Sequence, residues 1–298
     1  MLYYQMIRMS SMNEETNEKK HIEWTKPLSP RLDGEVTPES RDIMKAIGIL
    51  LPVLIYMLYV SLLTQIGNGL LNRIAESSED NARYISANKA VISAYIRTGV
   101  ITIATIAQIP ALRGEKPVII SNDGNLARYI RCILLGISSS LFFNVLLSLT
   151  GFTGSSDSYE KIAEKQFALP LSLGIILYGL VAPIAEEVVF RGLVYNRLRR
   201  NGLNTMIAIL ISSLFFGLYH FNVVQAVYGT LMGLLIVWIY ERYGGFIYPV
   251  IIHVSANIVI YIISSTGLLG KIMTPVTVIA TGAVTAFLIT SVARENKS

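Results

Sequence analysis

Beyond about residue 42 the chain is written largely in apolar runs, separated by short polar stretches. A bilayer core takes about 20 residues of helix. Runs of that order fall near 44–66, 90–110, 130–151, 168–190, 204–221, 223–240, 246–266 and 272–293. They predict an all-α, polytopic membrane protein with about eight transmembrane helices. The second run is the weakest, because Arg97 interrupts it; that side chain reads as one that snorkels to an interface. The fifth and sixth runs are joined by almost nothing, so their shared end is expected to be partly buried. Ser155–Gln166 is polar and is expected to form a short interfacial helix or loop ahead of the fourth span.

Residues 1–42 show another pattern. They are polar, with three prolines from Pro27 to Pro38, and cannot bury a core, so they predict a flexible cytoplasmic tail. His21 in this tail reads as a solvated histidine. The first 40 residues hold no apolar core of the kind a cleaved signal peptide needs. Three segments result: the tail 1–42, transmembrane helices of unassigned role over 43–151, and C-terminal transmembrane helices over 152–298.

Composition supports the membrane reading. Of 298 residues, 52% are hydrophobic and 15% charged, against about 25% charged in soluble chains. The net charge of +5 does not point to nucleic acid, since the basic residues sit in the tail and the loops. Their distribution does predict orientation. The tail, Arg113, Lys116 and Arg128, then Arg197, Arg199 and Arg200, then Arg242, Arg294 and Lys297 fall on one side. Arg73, Arg83, Lys89, Lys161, Lys165 and Lys271 fall on the other. Both termini are expected in the cytoplasm, with the chain in the cell membrane. The single cysteine, Cys132, excludes an intramolecular disulfide framework and a CxxC metal site.

Candidate chemistry enters at Ala185-Glu186-Glu187-Val188-Val189-Phe190-Arg191, which comes after an uncharged stretch from Leu171 to Ile184. An acid at membrane depth costs about 2.5 kcal/mol or more and is seldom there without a use. Glu187 and Arg191 are i,i+4 and share a helical face. Glu186 lies about 100° further round with no cation one turn away. One carboxylate therefore reads as neutralised and structural, the other as available for chemistry. Two of the three histidines, His220 and His253, also lie in apolar segments, and His253 shares a face with Asn257. Either histidine alone reads equally well as a satisfied interior group. The helix of Glu186 is expected to run to Arg200 and turn at Asn201-Gly202. Measured from that end, Glu186 and His220 lie roughly 22 and 28 Å along their helices, and His253 roughly 16 Å from Arg242. The four side chains are thus expected to meet in one buried pocket in the C-terminal half, opening toward the cytoplasm.

Such a cluster can hold and deprotonate a water and stabilise the oxyanion formed when that water attacks an amide carbonyl. Alternatively, Glu186, His220 and His253 could ligate Zn2+, whose bound water would be the nucleophile. The HExxH arrangement is absent.

Glu186-Glu187-xxx-Arg191, Phe216-xxx-His220 and His253-xxx-Asn257, in this order, resemble the three-motif signature of the CPBP family. That family comprises the type II CAAX prenyl proteases and the bacteriocin-processing or bacteriocin-immunity proteins, also called Abi. The resemblance covers about residues 168–266. It implies an all-helical intramembrane endopeptidase acting on a membrane-associated peptide or protein, by a glutamate-type or a metalloprotease mechanism. It implies Glu186 as the water-activating acid with His220 as its partner, His253 and Asn257 as the oxyanion-stabilising pair, and Glu187 and Arg191 as supporting residues. The alternative is a non-catalytic immunity or partner-binding membrane protein on the same scaffold. A proton-relaying transporter would favour inverted repeats and matching broken helices, which the sequence does not show. Tyr219, Tyr228 and Trp238 read as packing or interface aromatics. Asn222 and Gln225 read as helix-end capping or solvated groups, and Gly229 and Gly233 as a close-packing pair.

Overall fold

The computed structural model describes residues 38–115 and 126–295, with side chains from Ile43 onward except that of Ser155. Of the tail expected over 1–42, residues 1–37, with His21, lie outside the described residues, as do Lys116 and Lys297, whereas residues 38–42 begin the first helix. Contacts divide the chain after Asp42, and the unit that begins at Ile43 holds the helical bundle.

The described residues are helical, with no strand among them. Seven of their helices are long and apolar enough to cross a membrane. These are α1 (Pro38–Glu76), α3 (Lys89–Ala107), α5 (Leu126–Leu149), α7 (Leu171–Arg200), α9 (Val223–Tyr243), α10 (Ile247–Ser265) and α12 (Pro275–Arg294). Shorter helices stand between them: α2 (Glu79–Ala87), α4 (Ile109–Glu115), α6 (Asp157–Phe167), α8 (Thr205–Leu218) and α11 (Leu268–Ile272). The chain is a multi-pass, all-α membrane protein. The polar stretch ahead of the fourth span is α6, capped by the Ser156 side chain.

One difference from the expected spans bears on function. The run at 204–221 forms only the 14 residues of α8, about 21 Å of helix against a core of about 30 Å. Both of its ends have local causes. Gly202 takes the left-handed conformation at φ +88°, and the Asn204 side chain then accepts from the Ile207 amide at 2.9 Å. At the far end Asn222 caps α9, its Oδ1 accepting from the amides of Val224 at 3.0 Å and Gln225 at 3.2 Å. Phe221 bridges the two at φ +52°. Non-helical backbone at membrane depth is tolerated where it is packed in protein or lines a cavity, and this turn carries His220 and Phe221 into one.

α8 and α9 form a tight hairpin. A Cβ on Gly229 would come within 3.2 Å of the Gly217 Cα, and one on Gly233 within 3.2 Å of Phe216 and Ser213. The small-residue pair is thus the packing feature its spacing suggests. The end of the bundle near Arg200 is closed by ion pairs. Glu115 accepts from Arg197 Nε at 2.9 Å and from Arg200 at 2.8 Å, and Tyr195 donates to Glu241 at 2.7 Å. The opposite end, where α6 sits, opens into a cavity.

Candidate active site

α7 is not a uniform α-helix. Two π-helical segments, Ile175–Val181 and Val188–Tyr195, flank a short α-helical stretch, Ala182–Glu187, that carries both acids. Pro183 supplies one cause. In the π register the carbonyl of residue 178 looks to the N–H of residue 183, and proline has none. The orphaned Tyr178 carbonyl is satisfied by Asn257, whose Nδ2 donates to it at 3.0 Å. Asn257 on α10 is therefore anchored to α7 about two turns before Glu186.

Glu187 and Arg191 are the buried pair that their spacing predicts. Arg191 Nη1 donates to Glu187 Oε1 at 3.0 Å, and both side chains are sealed from solvent at 1% and 0% exposure. The guanidinium also lies 4.5 Å from the Phe216 ring centre and donates to the Gly233 carbonyl at 3.4 Å. Glu187 does more than its spacing suggests: the same Oε1 accepts from His253 Nδ1 at 2.7 Å. A carboxylate acceptor requires the proton on Nδ1, so Glu187 fixes which ring nitrogen of His253 faces onward. That nitrogen, Nε2, stands 3.6 Å from Glu186 Oε2, beyond hydrogen-bond range.

Glu186, His220, His253 and Asn257 all line one cavity of about 890 Å³. The four residues therefore come together. The pairing within the group differs from the one expected. The imidazole nearest Glu186 is His253; no carboxylate oxygen lies within 4 Å of His220 among the described residues. His220 Nδ1 donates to the Phe216 carbonyl at 3.0 Å, which leaves Nε2 as the acceptor of a neutral ring. Phe216 stands between the two imidazoles, edge-on to each at 5.4 Å.

The cavity opens at the other end from the one expected. Its lining includes Thr153, Tyr159 and Gln166, from the segment joining α5 to α7. The Arg197–Arg200 end lies more than ten residues beyond Glu186 on α7. Glu186 stands about midway along α7 (Leu171–Arg200), and the cavity reaches it from the α6 side. Asn222 takes the capping role, and its Nδ2 donates to Ser158 Oγ at 2.8 Å, tying α6 to the hairpin.

Zn2+ would need Glu186, His220 and His253 to converge as ligands. Among the described residues no three His, Cys, Asp or Glu side chains do so. His220 and His253 each give Nδ1 to an acceptor of the chain, which leaves Nε2 as the free nitrogen of each ring.

Three residues not expected at the site, Tyr56, Tyr219 and Arg97, complete the cavity. Tyr56 on α1 is 2% exposed in an otherwise plain apolar run, and Tyr219 packs against it with ring centres 6.3 Å apart. Arg97 on α3 lines the same space.

Residues 168–259 match the family model for type II CAAX prenyl endopeptidase Rce1-like proteins. UPF0177 protein YxdF of Lactococcus lactis subsp. lactis (strain IL1403) is 29% identical over 116 residues, covering 38% of this chain and 59% of that protein. YdiL of Bacillus subtilis (strain 168), provisionally named a membrane peptidase, is 30% identical over 129 residues, covering 43% of this chain and 50% of that protein. The chain thus spans little more than half the length of these curated relatives. No solved structure matches it. The matched stretch runs from just before α7 into α10 and carries all four cavity-lining motif residues, Glu186, His220, His253 and Asn257, and over it the chain is similar to the type II CAAX prenyl endopeptidase Rce1-like proteins.

Proposed function

We propose that the chain is an intramembrane endopeptidase that hydrolyses a peptide bond of a membrane-associated substrate with water activated at Glu186. The observation that carries this reading is the division of labour between adjacent acids. Glu187 is sealed and neutralised by Arg191, whereas Glu186 is 13% exposed, faces the cavity and has no arginine or lysine partner among the described residues.

A water held between Glu186 and the His220 Nε2 lone pair gives its proton to Glu186 as its oxygen attacks the peptide carbonyl. The charge that develops on the carbonyl oxygen is met by donors across the cavity. One is the Asn257 N–H not used on Tyr178; the other is His253 Nε2 when it carries a proton. Glu187 holds His253 in that orientation, a positioning role rather than a chemical one. Glu186 then returns the proton to the departing amine as the C–N bond breaks.

The test is cleavage of a membrane-peptide library by purified protein, wild type against Glu186→Gln, with and without a strong chelator. We expect products from wild type that are lost in the variant and unaffected by the chelator. Identical profiles from both proteins would overturn the catalytic reading in favour of a binding scaffold.

A further inference from the structure

The cavity is electrically bipolar. Among its described lining residues Arg97 is the only lysine or arginine and Glu186 the only acid. Tyr159, at the mouth and outside the spans, adds no charge near neutral pH, because burial pushes its phenol up. No acid of the described residues pairs with Arg97. Its one ring contact among them places the guanidinium carbon 5.9 Å from the centre of Tyr178.

The sequence pattern reads Arg97 as snorkelling, and its place on α3 argues otherwise. Ser93, Arg97 and Ile101 succeed one another at i,i+4 and all line the cavity. The outward stripe of α3 is Tyr95, Ile103 and Ile106, each more than half exposed, and Arg97 projects about 200° round from Tyr95. Arg97 is itself exposed, and it lines the cavity rather than this outward stripe. Its neighbour Tyr178 precedes Glu186 by eight residues, about 12 Å along α7. The cation and the acid thus stand some two turns apart in one space.

We propose that Arg97 is a specificity-determining residue whose guanidinium binds a carboxylate of the peptide substrate. The inference rests on the peptidase reading of the same cavity and deepens it. A peptide carrying one carboxylate is drawn to Arg97 and repelled by Glu186, so it enters in one orientation. The planar fork of arginine matches the two oxygens of a carboxylate. The carboxylate can be the free C-terminus or an acidic side chain, and both present the same group. Arg97 lies outside residues 168–259, so specificity would be written by a helix that the family match does not include.

The experiment uses the full-length protein in phosphatidylcholine nanodiscs and apolar synthetic peptides in three forms: free C-terminal acid, C-terminal carboxamide, and carboxamide with one internal aspartate. Binding is read by fluorescence anisotropy and cleavage by mass spectrometry, for wild type, Arg97→Gln and Arg97→Lys. We expect wild type to bind and cut a carboxylate-bearing form at least about tenfold better than the neutral carboxamide. Arg97→Gln should lose that preference while handling the carboxamide like wild type, and Arg97→Lys should keep part of it. A preference for the free acid identifies the C-terminus; a preference for the aspartate form, with the cut moving one residue when the aspartate moves one residue, identifies a side chain. Equal treatment of all three peptides by wild type overturns the proposal, as does a preference that survives Arg97→Gln. A uniform loss on all peptides in Arg97→Gln also overturns it, by making the residue structural. If wild type cleaves nothing, the peptidase reading fails, and the binding arm still decides on Arg97. A requirement for phosphatidylglycerol that disappears in Arg97→Gln, without peptide discrimination, assigns the residue to a lipid phosphate and refutes carboxylate recognition.

Discussion

Removing Arg191 alone should unfold the site rather than merely slow it. Arg191→Met keeps length and bulk but deletes the charge that neutralises Glu187. The acid then stays fully buried, with His253 Nδ1 as its one remaining donor on Oε1. Its second oxygen already has no partner. Breaking a buried pair from one side costs roughly 3–5 kcal/mol, because an uncompensated charge stays in a low-dielectric interior. The contact between the guanidinium and the Phe216 ring is lost as well, worth about 0.5–2 kcal/mol. At about 1.4 kcal/mol per factor of ten, the folded-to-unfolded ratio falls by a hundredfold or more. Combining it with Glu187→Gln removes the stranded charge while leaving an amide oxygen to accept from His253, so the double variant should regain most of the loss. The assay is reversible denaturant unfolding in mixed micelles for wild type, the two single variants and the double, read as a double-mutant cycle. The expected coupling is about 2 kcal/mol or more. The reasoning is refuted if Arg191→Met costs less than about 1 kcal/mol, or if the double variant loses the sum of the singles. Glu186→Gln is the control in the same assay: with no cation to strand, it should unfold within about 1 kcal/mol of wild type.

Single contacts yield further expectations. Asn257→Leu strands the Tyr178 carbonyl and should cost about 1–3 kcal/mol; adding Pro183→Ala returns an N–H to the π register, and unfolding should show stability recovered while cleavage stays lost. Gly217→Ala would drive a Cβ onto the Ala226 carbonyl and the Thr230 side chain, so the α8–α9 hairpin should open, seen as a drop in melting temperature and in crosslinking between cysteines placed across it. Asn222→Ala removes the α9 cap, at about 1 kcal/mol, and also the tie to Ser158, so hydrogen exchange should rise in α6 as well as at the start of α9. Chelation should leave cleavage by wild type unchanged; loss that zinc restores would overturn the carboxylate-only chemistry.

The features legible in the sequence are local, and the reason is geometric. The Glu187–Arg191 pair, the turn at Gly202, the Asn222 cap and the Gly229–Gly233 packing face each depend on residues within four positions of one another. Helical periodicity fixes such relations before any tertiary contact forms. Three further features of the site depend on contacts across the bundle. Glu187 meets His253 over a separation of 66 residues, and nothing in either local pattern says that one oxygen serves both the arginine and the imidazole. In the first π segment of α7 the Tyr178 carbonyl, which Pro183 cannot serve, is satisfied by Asn257, 79 positions away, so a proline in an apolar run reads as a kink while the structure uses it to open a docking point. The same logic explains why His253 rather than His220 stands nearest Glu186. His220 comes after a helix only 14 residues long, and its depth is set by where the Asn222 cap and the Phe221 turn stop that helix. His253 sits in mid-helix, where α10 packs directly on α7. Tyr56 and Arg97 are the extreme case. Each interrupts or ornaments an apolar span with no partner in its own helix, and only the closure of α1 and α3 around the α7–α10 core turns one into a wall of the cavity and the other into its sole cation among the described residues.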